Sequence, residues 1–98
     1  MFLLDKNNKM IKAIPVSHGK EGMLSVSVRV VTDIAIKSCA KGVIAVHTHP
    51  IGSSKPSYED IRSTTHFETL LKKLDIRLVD HIIVGKTDVY SMAEFNIL

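Results

Sequence analysis

Cysteine is nearly absent. Cys39 is the single one, so no internal disulfide can form and a disulfide framework is excluded. That suits a reducing cytosol, and Cys39, lying in an apolar helical pattern, reads as a small core residue. Repeats, low-complexity tracts and linker-like stretches are missing too. There is no run of one charge: ten lysines are scattered from Lys6 to Lys86, and only Lys72 and Lys73 are adjacent. The formal charge of +3 and isoelectric point near 9.1 are mildly basic. A nucleic-acid binder concentrates its excess on one face or in one run, so this pattern reads as a solvated surface and nucleic acid is not an expected partner of this chain alone. The opening Met-Phe-Leu-Leu meets Asp5 and Lys6 at once, too short for a signal core or a membrane span. The expectation is a soluble, cytoplasmic protein with no membrane partner. What is present is an ordinary apolar fraction, 45% hydrophobic against 23% charged, in 98 residues. That length holds one packed core, hence a single domain over residues 1–98.

Periodicity predicts the elements. Phe2–Leu4 and Lys9–Val16 read as strands around a turn at Asp5–Asn8, and Pro15 suits a strand end. Ser17–Gly22 is a loop. Met23–Val28 alternates Leu24, Val26 and Val28 against Ser25 and Ser27, a strand period. From Arg29 the spacing becomes helical, through Val30, Val31, Ile34, Ala35, Ser38 and Cys39, with Gly42 as the stop. Val43–Val46 is a short apolar run, read as a buried strand. After a loop at 51–56, a helix begins at Ser57 with Ile61, Phe67, Leu70, Leu71 and Leu74 as its stripe. Val79–Val84 and Val89–Met92 close the chain as strands about Gly85-Lys86. The order β-β-β-α-β-α-β-β implies an α/β fold, a mixed sheet with helices packed on it.

The chemistry gathers at one strand end. His47 and His49 are two residues apart, and side chains at that spacing share a face of a strand. They are either exposed loop histidines or a pair converging on one ion. Asp60 lies eleven residues after His49, in the first turn of the next helix. Two histidines and a carboxylate with an open fourth position form a catalytic zinc arrangement, where a bound water has its pKa lowered toward roughly 7. Ser57-Tyr58-Glu59-Asp60 also matches a capping box, which alone accounts for Ser57 and Asp60.

The whole string His47-Thr48-His49-Pro50, six residues, then Ser57-Tyr58-Glu59-Asp60 matches the JAMM pattern His-x-His-Pro-x6-Ser-x-x-Asp without a mismatch. With Gly52 to Asp60, Leu78 to Gly85 including Asp80-His81, Tyr90-Ser91, Leu4-Asp5, Asn8 and His18-Gly19, the chain resembles the C-terminal JAB (MPN+) domain of the RadC family over nearly its full length. That resemblance implies a JAB/MPN-type sheet with flanking helices, similar to the cytidine-deaminase sandwich. It implies zinc held by His47, His49 and Asp60, with Ser57 helping to hold the attacked carbonyl or the water. It implies a metallopeptidase-like hydrolase acting on amide or isopeptide bonds of a protein or peptide substrate. The deaminase reaction itself is excluded. It needs a Cys-x-x-Cys pair and a glutamate after the first ligand, whereas Thr48 and His49 follow His47.

One position departs from the pattern. JAMM peptidases carry a general-base glutamate on an early strand, and alignment through Leu4-Asp5 and His18-Gly19 puts Ile14 there. No acidic residue lies between Asp5 and Glu21, which leaves Glu21 as the nearest spare carboxylate. Loss of the base typically costs roughly 10²–10⁴-fold in rate. Two readings therefore stand: a zinc hydrolase, or a catalytically weak metal-binding module acting through partners. A link to DNA repair comes with the family name alone. Asp80 and His81 either support a ligand histidine or flank a strand. Glu59 reads as a solvated first-turn residue, and His18 and His66 as surface residues.

Overall fold

The computed structural model describes residues 1–15, 23–49 and 51–98, without the side chains of 23–28. The expected loop at 17–22, with His18 and Glu21 in it, and Pro50 lie outside the described residues. The elements are β1 (Phe2–Leu4), β2 (Met10–Ala13), α1 (Met23–Lys37), β3 (Gly42–Thr48), α2 (Tyr58–Lys72), β4 (Arg77–Val84) and β5 (Val89–Ser91). They build one sheet ordered β2-β1-β3-β4-β5. The pair β3/β4 is parallel and the other pairs are antiparallel. A parallel pair needs a crossover, and α2 supplies it. This is the mixed α/β sheet that the periodicity implies.

The third expected strand is instead the start of α1: residues 23–28 are helical. Positions 24, 28, 31 and 35 are spaced four, three and four, so the same residues satisfy both periods. Six residues are too few to separate the two, and the helical continuation decides.

Both helices stop in the same way, and α1 does not stop at the expected Gly42. At the end of α1 the amide of Ala40 donates to Ala35 O and that of Cys39 to Ile36 O, with Cys39 left-handed at φ 57°. At the end of α2, Ile76 donates to Leu71 O and Asp75 to Lys72 O, with Asp75 at φ 59°. These are Schellman closures. The left-handed residue turns outward, so Cys39 is exposed rather than in the core. The next residue, Ala40 or Ile76, is buried. Leu74 likewise falls past the end of α2 and is partly exposed. Gly42 is no helix stop: it opens β3, where a Cβ would sit 3.1 Å from Val79 Cγ2.

Leu3, Val31, Ala35, Val43, Ala45, Phe67, Leu71 and Leu78 form one buried cluster. It joins both helices to one face of β1, β3 and β4. Along α2 the buried positions are Thr64, Phe67 and Leu71, a stripe at helical spacing. The alternate residues Phe2 and Val46 point to the other face and are partly exposed. Among the described residues, no helix is long and apolar enough to cross a membrane.

Candidate metal centre

The strand β3 carries His47 to the rim of the sheet, and His49 follows it, held in line by its amide donating to Val84 O at 2.8 Å. The two imidazoles lie edge to face, with centroids 4.8 Å apart. Helix α2 starts at the same rim. Ser57 is its N-cap, with Oγ accepting from the Asp60 amide at 3.0 Å, while the Ser57 amide donates to Asp60 Oδ2 at 2.8 Å. That reciprocal pair is a capping box, and it aims the carboxylate. Asp60 Oδ1 lies 3.3 Å from His47 Nδ1, and Oδ2 lies 3.1 Å from His49 Nε2. Capping and facing the histidines are thus not rival explanations of Asp60, because one carboxylate does both.

One nitrogen from each histidine and one oxygen of Asp60 all lie within 4.8 Å of one another. Ligands about 2.1 Å from a tetrahedral ion stand roughly 3.4 Å apart, close to the 3.3 Å from Asp60 Oδ1 to His47 and the 3.1 Å from Oδ2 to His49. Two imidazoles and a carboxylate therefore suit zinc in both donor type and spacing. His49 Nδ1 lies 3.0 Å from Ser53 O, and donation to that carbonyl leaves Nε2 as the lone-pair nitrogen toward Asp60. Burial raises the Asp60 pKa, but hydrogen bonds from the Ser57 amide and hydroxyl and then the charges of His47 and His49 outweigh it. The net shift is downward, and the group stays anionic.

The loop between β3 and α2 is pinned from below. Asp88 takes the Ser54 amide on Oδ1 at 3.1 Å and the Ser54 hydroxyl on Oδ2 at 2.7 Å. Gly85 lies beneath them, and a Cβ there would come within 2.6 Å of the Ser54 amide. Neither Ser54 nor Asp88 was singled out by sequence reasoning, and an exposed-looking Gly-Ser-Ser stretch carries no signal that its second serine is buried.

Asp80 and His81 divide the roles left open for them. The Asp80 carboxylate accepts from the amides of His81 and Ala93 and from Ser91 Oγ, tying β4 to the turn after β5. His81 is buried beneath the site, its ring stacked against His47 with centroids 6.1 Å apart. Burial pushes its pKa down to about 4, with the nearby His47 charge adding to the effect. Its Nδ1 meets Thr64 Oγ1, which also donates to Asp60 O at 2.6 Å. Thr64 was missed, although a polar residue on the buried stripe of Phe67 and Leu71, four residues after Asp60, was a visible signal. His66 is exposed. Ile14 follows β2 directly, exchanges hydrogen bonds with Met1 and packs against the apolar core.

The model of the family described as RadC-like JAB domain matches residues 1–97. Curated relatives agree. A UPF0758 protein of Pelobacter propionicus is 38% identical over all 98 residues, which cover 43% of that relative. Counterparts from Shewanella loihica and Saccharophagus degradans are 33% and 36% identical over 94 residues, each covering 96% of this chain and 42% of the relative. The chain thus spans less than half the length of these relatives.

Proposed function

This chain belongs to the RadC-like JAB domain family, and from that premise we propose that it is a zinc-dependent hydrolase domain for amide or isopeptide bonds. The observation that carries the reading is the convergence of His47, His49 and Asp60 within 4.8 Å at the end of β3. Zinc held there supplies Lewis acidity and lowers the pKa of a bound water. The remaining contributions belong to the chain. Ser57 keeps Asp60 anionic and oriented. Ser53 O fixes the tautomer of His49. Ser57 Oγ accepts from the Asp60 amide, and its hydroxyl proton, which otherwise lies toward the Asp60 carboxylate, can turn to hold a substrate carbonyl.

A second reading is favoured by one observation: an apolar residue packed against the core, Ile14, stands where the resemblance expects the general base. On that reading the domain binds zinc, hydrolyses weakly and acts through partners. Glu21 is the alternative base. The experiments separate the readings. Protein purified at neutral pH without chelator carries about one zinc per chain, and His47→Ala and Asp60→Ala lose most of it. Equal zinc in all three proteins defeats the metal assignment. Peptide hydrolysis abolished by Glu21→Gln makes Glu21 the base. Weak hydrolysis raised by Ile14→Glu places the missing base at the residue that follows β2. No response to either change favours the module acting through partners.

A further inference from the structure

The metal ligands do not explain Thr64 or His81. Thr64 is 1% exposed and His81 4%, so both polar groups must be satisfied inside the protein. A threonine hydroxyl has one proton. The 2.6 Å bond to Asp60 O, four residues back, takes that proton. The Thr64 oxygen can then meet His81 Nδ1 only as an acceptor. His81 must therefore carry its proton on Nδ1 and keep a lone pair on Nε2. The chain of donation runs from His81 on β4 through Thr64 to the backbone of Asp60 on α2.

This chain crosses between the elements that bring the ligands together. Asp60 has two anchors: Ser57 holds its carboxylate and amide from within the helix, and Thr64 ties its carbonyl to the sheet. The capping box moves with the helix, whereas the Thr64–His81 contact ties this part of α2 to β4. His81 also lies under the His47 ring. One residue thus braces a ligand on each side of the site.

We propose that Thr64 and His81 are positioning residues, a buried hydrogen-bonded brace that sets Asp60 of α2 against His47 and His49. The inference deepens the zinc reading and rests on it. Neither residue is a ligand, and the effect is on geometry at the ion.

The test compares wild type with Thr64→Ser and Thr64→Val, titrating zinc against a chromophoric chelator and recording the visible spectrum of the cobalt(II) form. Thr64→Val removes the hydroxyl at nearly constant volume. Zinc affinity is expected to fall about 10-fold or more, as for groups that orient metal ligands, with altered cobalt bands. Thr64→Ser restores the hydroxyl and is expected to recover both. Nitrogen-15 NMR of His81 in the metal-free wild type is expected to show the Nδ1–H tautomer. If Thr64→Val binds zinc within twofold of wild type with an unchanged cobalt spectrum, or if Thr64→Ser folds but binds zinc no better than Thr64→Val, the brace is overturned while the zinc site stands. An Nε2–H tautomer overturns the direction of the hydrogen bonds, and the proposal with it. Wild type that binds no zinc removes the zinc reading itself, and the positioning role falls with it.

Discussion

Helix α2 has an aspartate at each end, and the two are unlike in every respect but side chain. Asp60 lies in the first turn, its side chain 11% exposed, held by the Ser57 amide and facing two imidazoles. Asp75 lies just past the last turn, its side chain 96% exposed, with Lys41 Nζ at 3.8 Å. The helix dipole favours a carboxylate at the first place and disfavours it at the second. Asp75 lines a cavity of about 420 Å³ with Lys6, Lys41, Lys72, Arg77 and Asp5. That end of the parallel pair holds more charge than the metal end, yet its charges meet loosely and in water. Charge count is therefore a poor guide to a site here. Partial burial and directed hydrogen bonds distinguish the end that can hold an ion.

The largest effect expected from breaking this contrast is at Asp60. On the zinc reading Asp60→Ala removes a ligand, and it removes a capping partner and, among the described residues, the carboxylate that faces both His47 and His49. Zinc affinity should fall by roughly 100-fold or more, beyond the loss expected for an orienting residue. Competition with a chelator measures it, and retention of wild-type affinity would place the ion elsewhere.

The next effect is on pH dependence. His81 has an ordinary pKa of 6.5 and about 4 in the folded protein. Between these values the unfolded chain binds a proton that the native protein refuses, so stability rises with pH across the window. Metal-free protein should therefore lose about 3 kcal/mol of stability to this group as pH falls from above 6.5 to 4. In His81→Phe that contribution is gone. Urea titrations at several pH values check it: the wild-type advantage should shrink by that amount on acidification, and a constant difference would refute it.

The contrast between the two ends also shows what the residues reveal by themselves. The strand delivering His47 and His49, the helix start at Ser57 and the mixed sheet were legible, because each rests on local spacing. Spacing failed at residues 23–28, where two periods coincide. It failed at Cys39, and gave no stop at Asp75, because the left-handed stop is a backbone property that glycine usually advertises, and neither residue is glycine. Thr64 and His81 were not read as partners because their contact spans seventeen positions. Asp88 and Ser54 are separated by thirty-four. Long-range polar pairs leave no periodic trace.

A smaller effect belongs to Ser57. Ser57→Ala removes the acceptor for the Asp60 amide but leaves the backbone bond to Asp60 Oδ2. Loss of an N-cap costs about 1 kcal/mol, which thermal or urea unfolding reads directly. Ser57→Asp should restore the cap and the stability. If both variants hydrolyse a cleavable substrate as well as wild type, the hydroxyl has no part in holding the carbonyl.

The smallest effect should come from Asp75. Its ion pair with Lys41 is long and exposed, and such pairs are worth a few tenths of a kcal/mol at most (about 0.2–0.5). Its backbone is left-handed at φ 59°, where a Cβ is costly and glycine is at ease. Its charge also lies at the unfavourable end of the helix dipole. Asp75→Gly loses the weak pair and relieves both penalties. The opposing terms leave stability no lower than wild type and up to about 0.5 kcal/mol higher, with zinc affinity unchanged. An increase in the urea midpoint at constant slope would show that the left-handed stop outweighs the ion pair. A loss of more than 1 kcal/mol would show that the charges around the cavity act as a network, and that the loose end of α2 is tighter than its distances indicate.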